Sequence, residues 1–194
     1  MQYAVRTVAW SPERAVNVER MQAQIPNLAV IVDEVGDGYA CFFEACRLLN
    51  ETGGVLLEDD VLLCRDFTAR CEAIIAEKGP DQLISFFERP KIELPTALVA
   101  GSSFMWMQCI YMPPGFPALC SAYYDEFRTT RPKRWTGMAT DSLIAFVLVK
   151  EKMRYWRIRP TLVQHLPFPS VIGGGGRPTN RQTLFFIDDL EETA

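Results

Sequence analysis

Histidine is nearly missing from this sequence: His165 is the single one among 194 residues. Cysteine occurs six times, but no two cysteines have the Cys-x-x-Cys spacing. Structural zinc sites need several cysteine and histidine ligands at short spacings, so a zinc finger or zinc ribbon is not expected. Because several cysteines lie on apolar faces of predicted helices, we expect them to be buried, reduced thiols.

Long apolar runs are missing too. No stretch approaches the roughly 20 apolar residues that a membrane-spanning helix needs. The first ten residues show no basic start followed by an apolar run, so no signal peptide is expected. The formal net charge of -4 gives the whole chain no general attraction to nucleic acid or anionic membranes. These absences favour a cytoplasmic protein without a membrane span.

The sequence does contain enough apolar residues to build a core, since 48% of them are hydrophobic. In the first half, short apolar runs alternate with segments of helical periodicity. The runs lie at residues 3–10, 28–32, 55–57 and 83–87. This alternation predicts an α/β fold with one mostly parallel, twisted sheet and helices on both faces.

Three acidic residues, Glu58-Asp59-Asp60, directly follow the predicted strand at 55–57. In open parallel sheets, ligands bind at the carboxyl ends of the strands. Three adjacent carboxylates repel one another unless a cation lies among them, and oxygen ligands suit Mg²⁺ or Mn²⁺. We call this segment the acidic triplet. It predicts a metal site, and a solvated acidic turn is the alternative that the residues leave open.

Residues 54–61 resemble the Asp-x-Asp region of GT-A glycosyltransferases, in its Leu-Glu-Asp-Asp form. Further segments resemble parts of that family in the same order along the chain. They are an opening loop at 11–14, a late strand at 104–113, an acid at a helix start within 137–144, and a Val-Gln-His stretch within 162–166.

The resemblance implies a GT-A-like catalytic domain over residues 1–166. Its nucleotide-binding half covers 1–87 and its acceptor-side half covers 88–166. Residues 167–194 would then form a glycine- and proline-rich loop and a flexible C-terminal arm. The implied activity is metal-dependent sugar transfer from a nucleotide-sugar donor, with a UDP-sugar expected and with Mn²⁺ or Mg²⁺ as the cofactor.

The family pattern also implies roles for individual residues. Asp60 would bind the metal, Asp59 would contact the donor, and Glu58 would act at longer range. His165 closes a strand before a proline-rich loop, as the family's metal- or phosphate-binding histidine does. A structural histidine is the alternative at that position.

Asp141 is the candidate catalytic base. An inverting transferase needs a carboxylate that takes the proton from the attacking acceptor hydroxyl. The alternative is purely structural, because an acid at a helix start is favoured by about 0.3–1 kcal/mol without any catalysis.

Four more residues are candidates for donor binding. Ser11 and Arg14 lie in the opening loop, where the family often has an arginine that contacts the donor. Asp33 follows the strand at 28–32 and would contact the base or ribose, or else form a turn. Arg181 lies in the predicted arm and would hold a phosphate when the arm closes.

The acceptor is not identified by the sequence. A basic patch from Arg128 to Trp135 would steer a phosphorylated or nucleic-acid acceptor, or it is simply a solvated loop. Two other functions stay open. One is Mg²⁺-dependent nucleotidyl transfer, and the other is a binding module that holds a nucleotide or sugar without chemistry.

Overall fold

The computed structural model describes residues 1–88, 95–130, 140–169 and 182–188. The nine strands of this part are β1 (Gln2–Val8), β2 (Ala29–Asp33), β3 (Gly54–Glu58), β4 (Val61–Leu63), β5 (Leu83–Ser85), β6 (Ala97–Ala100), β7 (Cys109–Met112), β8 (Arg154–Arg157) and β9 (Val163–His165). The helices are α1 (Pro12–Gln24), α2 (Gly38–Leu49), α3 (Phe67–Lys78), α4 (Phe116–Ala122), α5 (Tyr124–Thr130) and α6 (Thr140–Lys150), with a 3₁₀ turn at Gly101–Ser103.

Seven strands form the main sheet, in the order β2-β1-β3-β7-β5-β8-β6. Strand β1 is parallel to both β2 and β3, and β5 is parallel to β8. Strand β7 runs antiparallel between β3 and β5, and β6 runs antiparallel to β8. Five of the seven strands therefore point the same way. The predicted α/β fold with a mostly parallel sheet is confirmed.

The core lies on both faces of this sheet, because successive side chains of a strand point to opposite faces. Tyr3 and Val5 of β1 pack in one cluster with residues of α1 and α3. Ala4, between them, belongs to the other cluster, together with residues of α2 and α6. The six cysteines are free and buried within these clusters, as expected.

The first residues of α1 and α2 differ in whether a side chain caps the backbone N–H groups of the first turn. Asp37 at the start of α2 accepts hydrogen bonds from the backbone N–H groups of Tyr39 and Ala40. Ser11 occupies the equivalent position of α1 but makes no capping bond, and its hydroxyl donates to Glu13 instead, at 3.2 Å. Proline at the first helical position of α1 still fits a helix start.

A second, two-stranded sheet pairs β4 with β9 in antiparallel fashion. Val61 lies opposite His165 in this pairing, and the N–H of Leu166 donates to the carbonyl of Asp60 at 2.7 Å. This small sheet carries the distant histidine to the end of the acidic triplet.

Part of the C-terminal region packs along the same side of the domain. Thr161 donates its N–H to Phe185 O at 2.8 Å and accepts from the N–H of Ile187 at 3.1 Å. Gln164 exchanges hydrogen bonds with the backbone of Thr183, at 2.8 and 3.0 Å. Among the helices of the described residues, none has the length and apolar character needed to cross a bilayer.

The sheet leaves no room for a side chain at Gly54, the first residue of β3. A Cβ there would lie 2.6 Å from both Gln2 O and Leu49 Cδ2. We expect Gly54→Ala to lower the free energy of unfolding by about 1–3 kcal/mol, because the neighbouring strand and helix would have to move. Guanidinium unfolding monitored by circular dichroism measures this change.

Gly38→Ala is the matched control. A Cβ at Gly38, which lies in the first turn of α2, meets no atom of the described residues within 4 Å. The free energy of unfolding should stay the same or rise by about 0.4–1 kcal/mol. Equal stability of the two variants would contradict the close packing of β3 on β1 and α2.

Candidate functional site

A cleft of about 500 Å³ opens where β1, β2 and β3 end. Its wall includes residues of β1, the loop that follows it and α1, the turn after β2, the first two members of the acidic triplet, and the first residue of α6. The lining side chains include those of Arg6, Trp10, Arg14, Asp33, Glu58, Asp59 and Thr140. This volume suits a small-molecule ligand, and the carboxyl edge of a parallel sheet is where such ligands bind.

Glu58, the last residue of β3, is paired with a buried arginine of the neighbouring strand. Arg6 lies directly opposite it in the β1–β3 register and forms an ion pair with its carboxylate. Arg6 also donates to Gly38 O at 3.0 Å and to Thr140 Oγ1 at 3.2 Å. Burial raises the pKa of Glu58 to about 7, against the opposing effect of Arg6. Arg6 thereby connects the triplet to the starts of α2 and α6.

Arg14 of α1 neutralises the other two carboxylates. Its guanidinium forms an ion pair with Asp59 and lies 3.2 Å from Asp60 Oδ2. It also donates to Pro169 O at 3.1 Å. Asn17, one helical turn later, donates to the carbonyls of Asp59 and Val61 at 2.9 and 2.8 Å. Helix α1 therefore holds both the side chains and the backbone of the triplet.

The pKa values of Asp59 and Asp60 shift in opposite directions in this environment. Burial raises the pKa of Asp59, although Arg14 opposes the effect. Burial acts in the same direction on Asp60, but its interactions with His165 and Arg14 outweigh it and hold the pKa of Asp60 below its usual value. Asp60 is thus the member of the triplet best kept as an anion.

His165 lies beside Asp60, with its Nε2 atom 3.5 Å from Asp60 Oδ2. The histidine is 1% exposed, and among the described residues its Nδ1 atom has no hydrogen-bond partner, while Nε2 has only the long contact with Asp60. One oxygen of each aspartate, Asp59 Oδ2 and Asp60 Oδ1, is also buried without a hydrogen-bond partner in the described part of the chain. Unpaired buried polar atoms are costly, so these atoms are candidates for binding a ligand.

A divalent cation fits this donor set. Carboxylate oxygen and imidazole nitrogen are both ligands for Mn²⁺-type ions, and Asp60 and His165 would supply them. In the described part of the chain, no group of three or more histidine, cysteine, aspartate or glutamate side chains is arranged to hold a metal ion. Water or a bound phosphate would have to complete the coordination.

Asp33 reaches the cleft and also forms a turn. Its Oδ1 atom accepts hydrogen bonds from three successive backbone N–H groups, those of Val35, Gly36 and Asp37, at 3.1, 2.7 and 3.0 Å. Asp33 therefore forms a turn, which was the structural alternative for this residue, and it also lines the cleft. The adjacent wall is Trp10, which is 50% exposed and offers an aromatic surface to a ligand.

The predicted base, Asp141, lies in the first turn of α6 and accepts the N–H of Ser142 at 2.9 Å. The preceding residue, Thr140, lines the cleft and is held by Arg6. Four predicted site residues are themselves outside the cleft lining: Ser11, Asp60, Asp141 and His165. Arg181 and the 131–135 part of the basic patch lie outside the described residues. Arg128 is described, and it is exposed with its guanidinium over the ring of Tyr124.

No protein-family model and no curated protein matches this chain. Among solved structures, it is similar to A197 from STIV. The similarity covers 86% of each chain with a TM-score of 0.51, at 11% sequence identity. At that identity the likeness concerns the fold alone.

Sequence reasoning missed Arg6, Asn17 and Thr140. The signal for Arg6 was an isolated charge within an apolar strand, which needs a buried partner. That partner, Glu58, follows only once β1 and β3 are known to be neighbours in register. Asn17 acts on backbone carbonyls and has no motif. Thr140 precedes the candidate base and has no motif of its own.

Removing the positive charge of Arg14 should strongly destabilise the protein. In Arg14→Met, Asp59 and Asp60 would stay buried without their shared partner, which is 4% exposed. We expect the free energy of unfolding to fall by about 3–5 kcal/mol. Urea unfolding at neutral pH measures the change.

Lys150→Met serves as the control, because Lys150 pairs with Glu126 where both side chains are more than a third exposed. Exposed pairs contribute about 0–1 kcal/mol, so this variant should unfold much like the parent. A similarly small effect in Arg14→Met would show that the triplet does not depend on Arg14.

Proposed function

We propose that this protein is a metal-dependent glycosyltransferase that moves a sugar from a nucleotide-sugar donor to an acceptor hydroxyl. The observation that carries the proposal is the convergence of Asp60 and His165. Each has a buried ligand atom without a hydrogen-bond partner in the described part of the chain, and both residues lie at the carboxyl edge of the sheet beside a cleft of nucleotide size. The resemblance of residues 54–61 to the Asp-x-Asp region supports the same assignment.

In this proposal the nucleoside of the donor lies in the cleft. Trp10 offers its half-exposed ring as a surface for the base, and Asp33 stands at the end of β2 on the same wall. The diphosphate then points toward Asp59 and Asp60, where a bare anion would be repelled. Arg14 and a cation held by Asp60 and His165 supply the positive charge that it needs.

The cation, when bound, neutralises the charge that develops on the leaving diphosphate. The acceptor hydroxyl must lose its proton as it attacks, and Asp141 is the proposed base for an inverting reaction. Its helix start is connected to the cleft by the hydrogen bond from Arg6 to Thr140. Arg6 would therefore hold the start of α6 in a fixed position relative to the acidic triplet.

The first test is metal-dependent nucleotide binding. We expect UDP with Mn²⁺ to raise the melting temperature, while either one alone has a smaller effect. A ligand at 100 times its dissociation constant stabilises the folded state by about 2.7 kcal/mol. The Asp60→Asn variant should lose the joint effect of UDP and Mn²⁺, because it removes the proposed metal ligand. Differential scanning fluorimetry gives the readout.

Asp125→Asn is the control, since it makes the same chemical change on an exposed residue of α5. It should respond to UDP and Mn²⁺ like the unmodified protein. A full response in Asp60→Asn would rule out the assigned metal site. Incubation with labelled UDP-sugars and labelled nucleoside triphosphates then separates sugar transfer from nucleotidyl transfer.

A second test addresses Asp141. If Asp141 is the base, Asp141→Asn should lower the turnover of a labelled UDP-sugar by about 10²–10⁴-fold. Its affinity for UDP and Mn²⁺ should not change, because Asp141 is neither a residue of the cleft lining nor a proposed metal ligand. Turnover is measured by release of UDP, and affinity by calorimetry. Equal turnover in the variant would assign Asp141 a structural role at the start of α6.

A further inference from the structure

A second charged cluster lies on the same edge of the sheet, away from the cleft. Arg157 and Arg159, at the end of β8, both approach one oxygen of Glu88, which follows β5. The distances to Glu88 Oε2 are 3.1 Å from Arg157 Nε and 3.3 Å from Arg159 Nη2. Two guanidinium groups thus share a single carboxylate oxygen, and the cluster has one positive charge in excess.

The cluster also has unused hydrogen-bond donors. The side chain of Arg159 is only 6% exposed, yet its Nε and Nη1 atoms are buried without a partner among the residues that the structure describes. Burial lowers the pKa of Arg159, and the neighbouring charge of Arg157 adds to this effect, while Glu88 opposes it. Glu88 contributes only one oxygen and therefore leaves some of the arginine donors without an acceptor. An anion with three or more acceptor oxygens would fill it better.

The strand pairing fixes where the cluster stands relative to the acidic triplet. Ser85 of β5 pairs with Ile110, which pairs with Leu56 of β3, and Ser85 also pairs with Arg157. Glu88 and Arg159 are thus level with the triplet along the strand direction. Three strand spacings separate β3 from β8, or about 14 Å. The ring of Phe87, just before Glu88, lies 6.3 Å from that of His165.

We propose that Arg157 and Arg159 form a binding site for a phosphate group of the acceptor, and that Glu88 occupies part of this site when no acceptor is bound. Assigning this phosphate to the acceptor depends on the proposed function. That function places the donor in the cleft, which lies at the other end of the same sheet edge, beyond β3. The phosphate site itself depends only on the geometry of the cluster. A bound phosphate would take the place of the Glu88 carboxylate and satisfy the free donors of Arg159.

The test uses the full chain and two probes, glycerol 3-phosphate and uncharged glycerol, with binding measured by calorimetry. We expect glycerol 3-phosphate to bind and glycerol not to bind. Arg159→Gln should weaken binding about tenfold or more, since it removes charge-assisted hydrogen bonds. Glu88→Gln should strengthen binding severalfold, because the internal competitor loses its charge. Arg154→Gln, on the exposed start of the same strand, should bind like the parent.

Each result has a defined meaning. Unchanged binding in Arg159→Gln, or no gain in Glu88→Gln, would overturn the phosphate site. The Glu88→Gln arm decides the question even if Arg159→Gln does not fold. Titrations repeated with saturating UDP and Mg²⁺ address the source of the phosphate. Retained binding of glycerol 3-phosphate supports the acceptor, and its loss would overturn that assignment. If UDP does not bind but the probe does, the proposed function fails while the phosphate site stands.

Discussion

The neutralisation of three adjacent carboxylates at the end of β3 is the constraint on which the site depends. Asp59 is 2% exposed, and charges at such depth need partners. The chain supplies them from two directions, with Arg6 from the neighbouring strand and Arg14 from the helix that covers it. Asn17 adds hydrogen bonds to the backbone of the same turn. The acidic turn is therefore held by ion pairs and hydrogen bonds, with Asp59 buried, and is not a fully solvated loop.

In this arrangement, some buried polar atoms of the site have no hydrogen-bond partner among the described residues. After Arg14 has paired with Asp59 and Asp60, one oxygen of each aspartate and Nδ1 of His165 still lack hydrogen-bond partners among the residues that the structure describes. A site that served stability alone would be expected to pair these atoms internally. Asp60 and His165 lie side by side, with His165 Nε2 3.5 Å from Asp60 Oδ2, and this proximity is the basis for proposing a cation there.

The edge of the sheet has two charged regions of different character. Around the acidic triplet, carboxylates outnumber the arginines, and the proposed function adds a cation there to hold the diphosphate. At Arg157 and Arg159 the balance is reversed, as the proposed phosphate site requires. Phe87 and His165 lie between the two regions, with their rings in contact distance. The proposed function places one substrate on each side of this boundary.

The sequence by itself determined the local features of this protein. Alternating apolar runs and helical segments are encoded within windows of about ten residues, and they predicted the mostly parallel α/β sheet. The position of the acidic triplet directly after a buried strand was visible in the same way. The tertiary structure alone decided which side chains meet: Arg6 with Glu58, Arg14 with Asp59, and His165 with Asp60. These contacts depend on strand order and register between distant segments, which local periodicity does not specify.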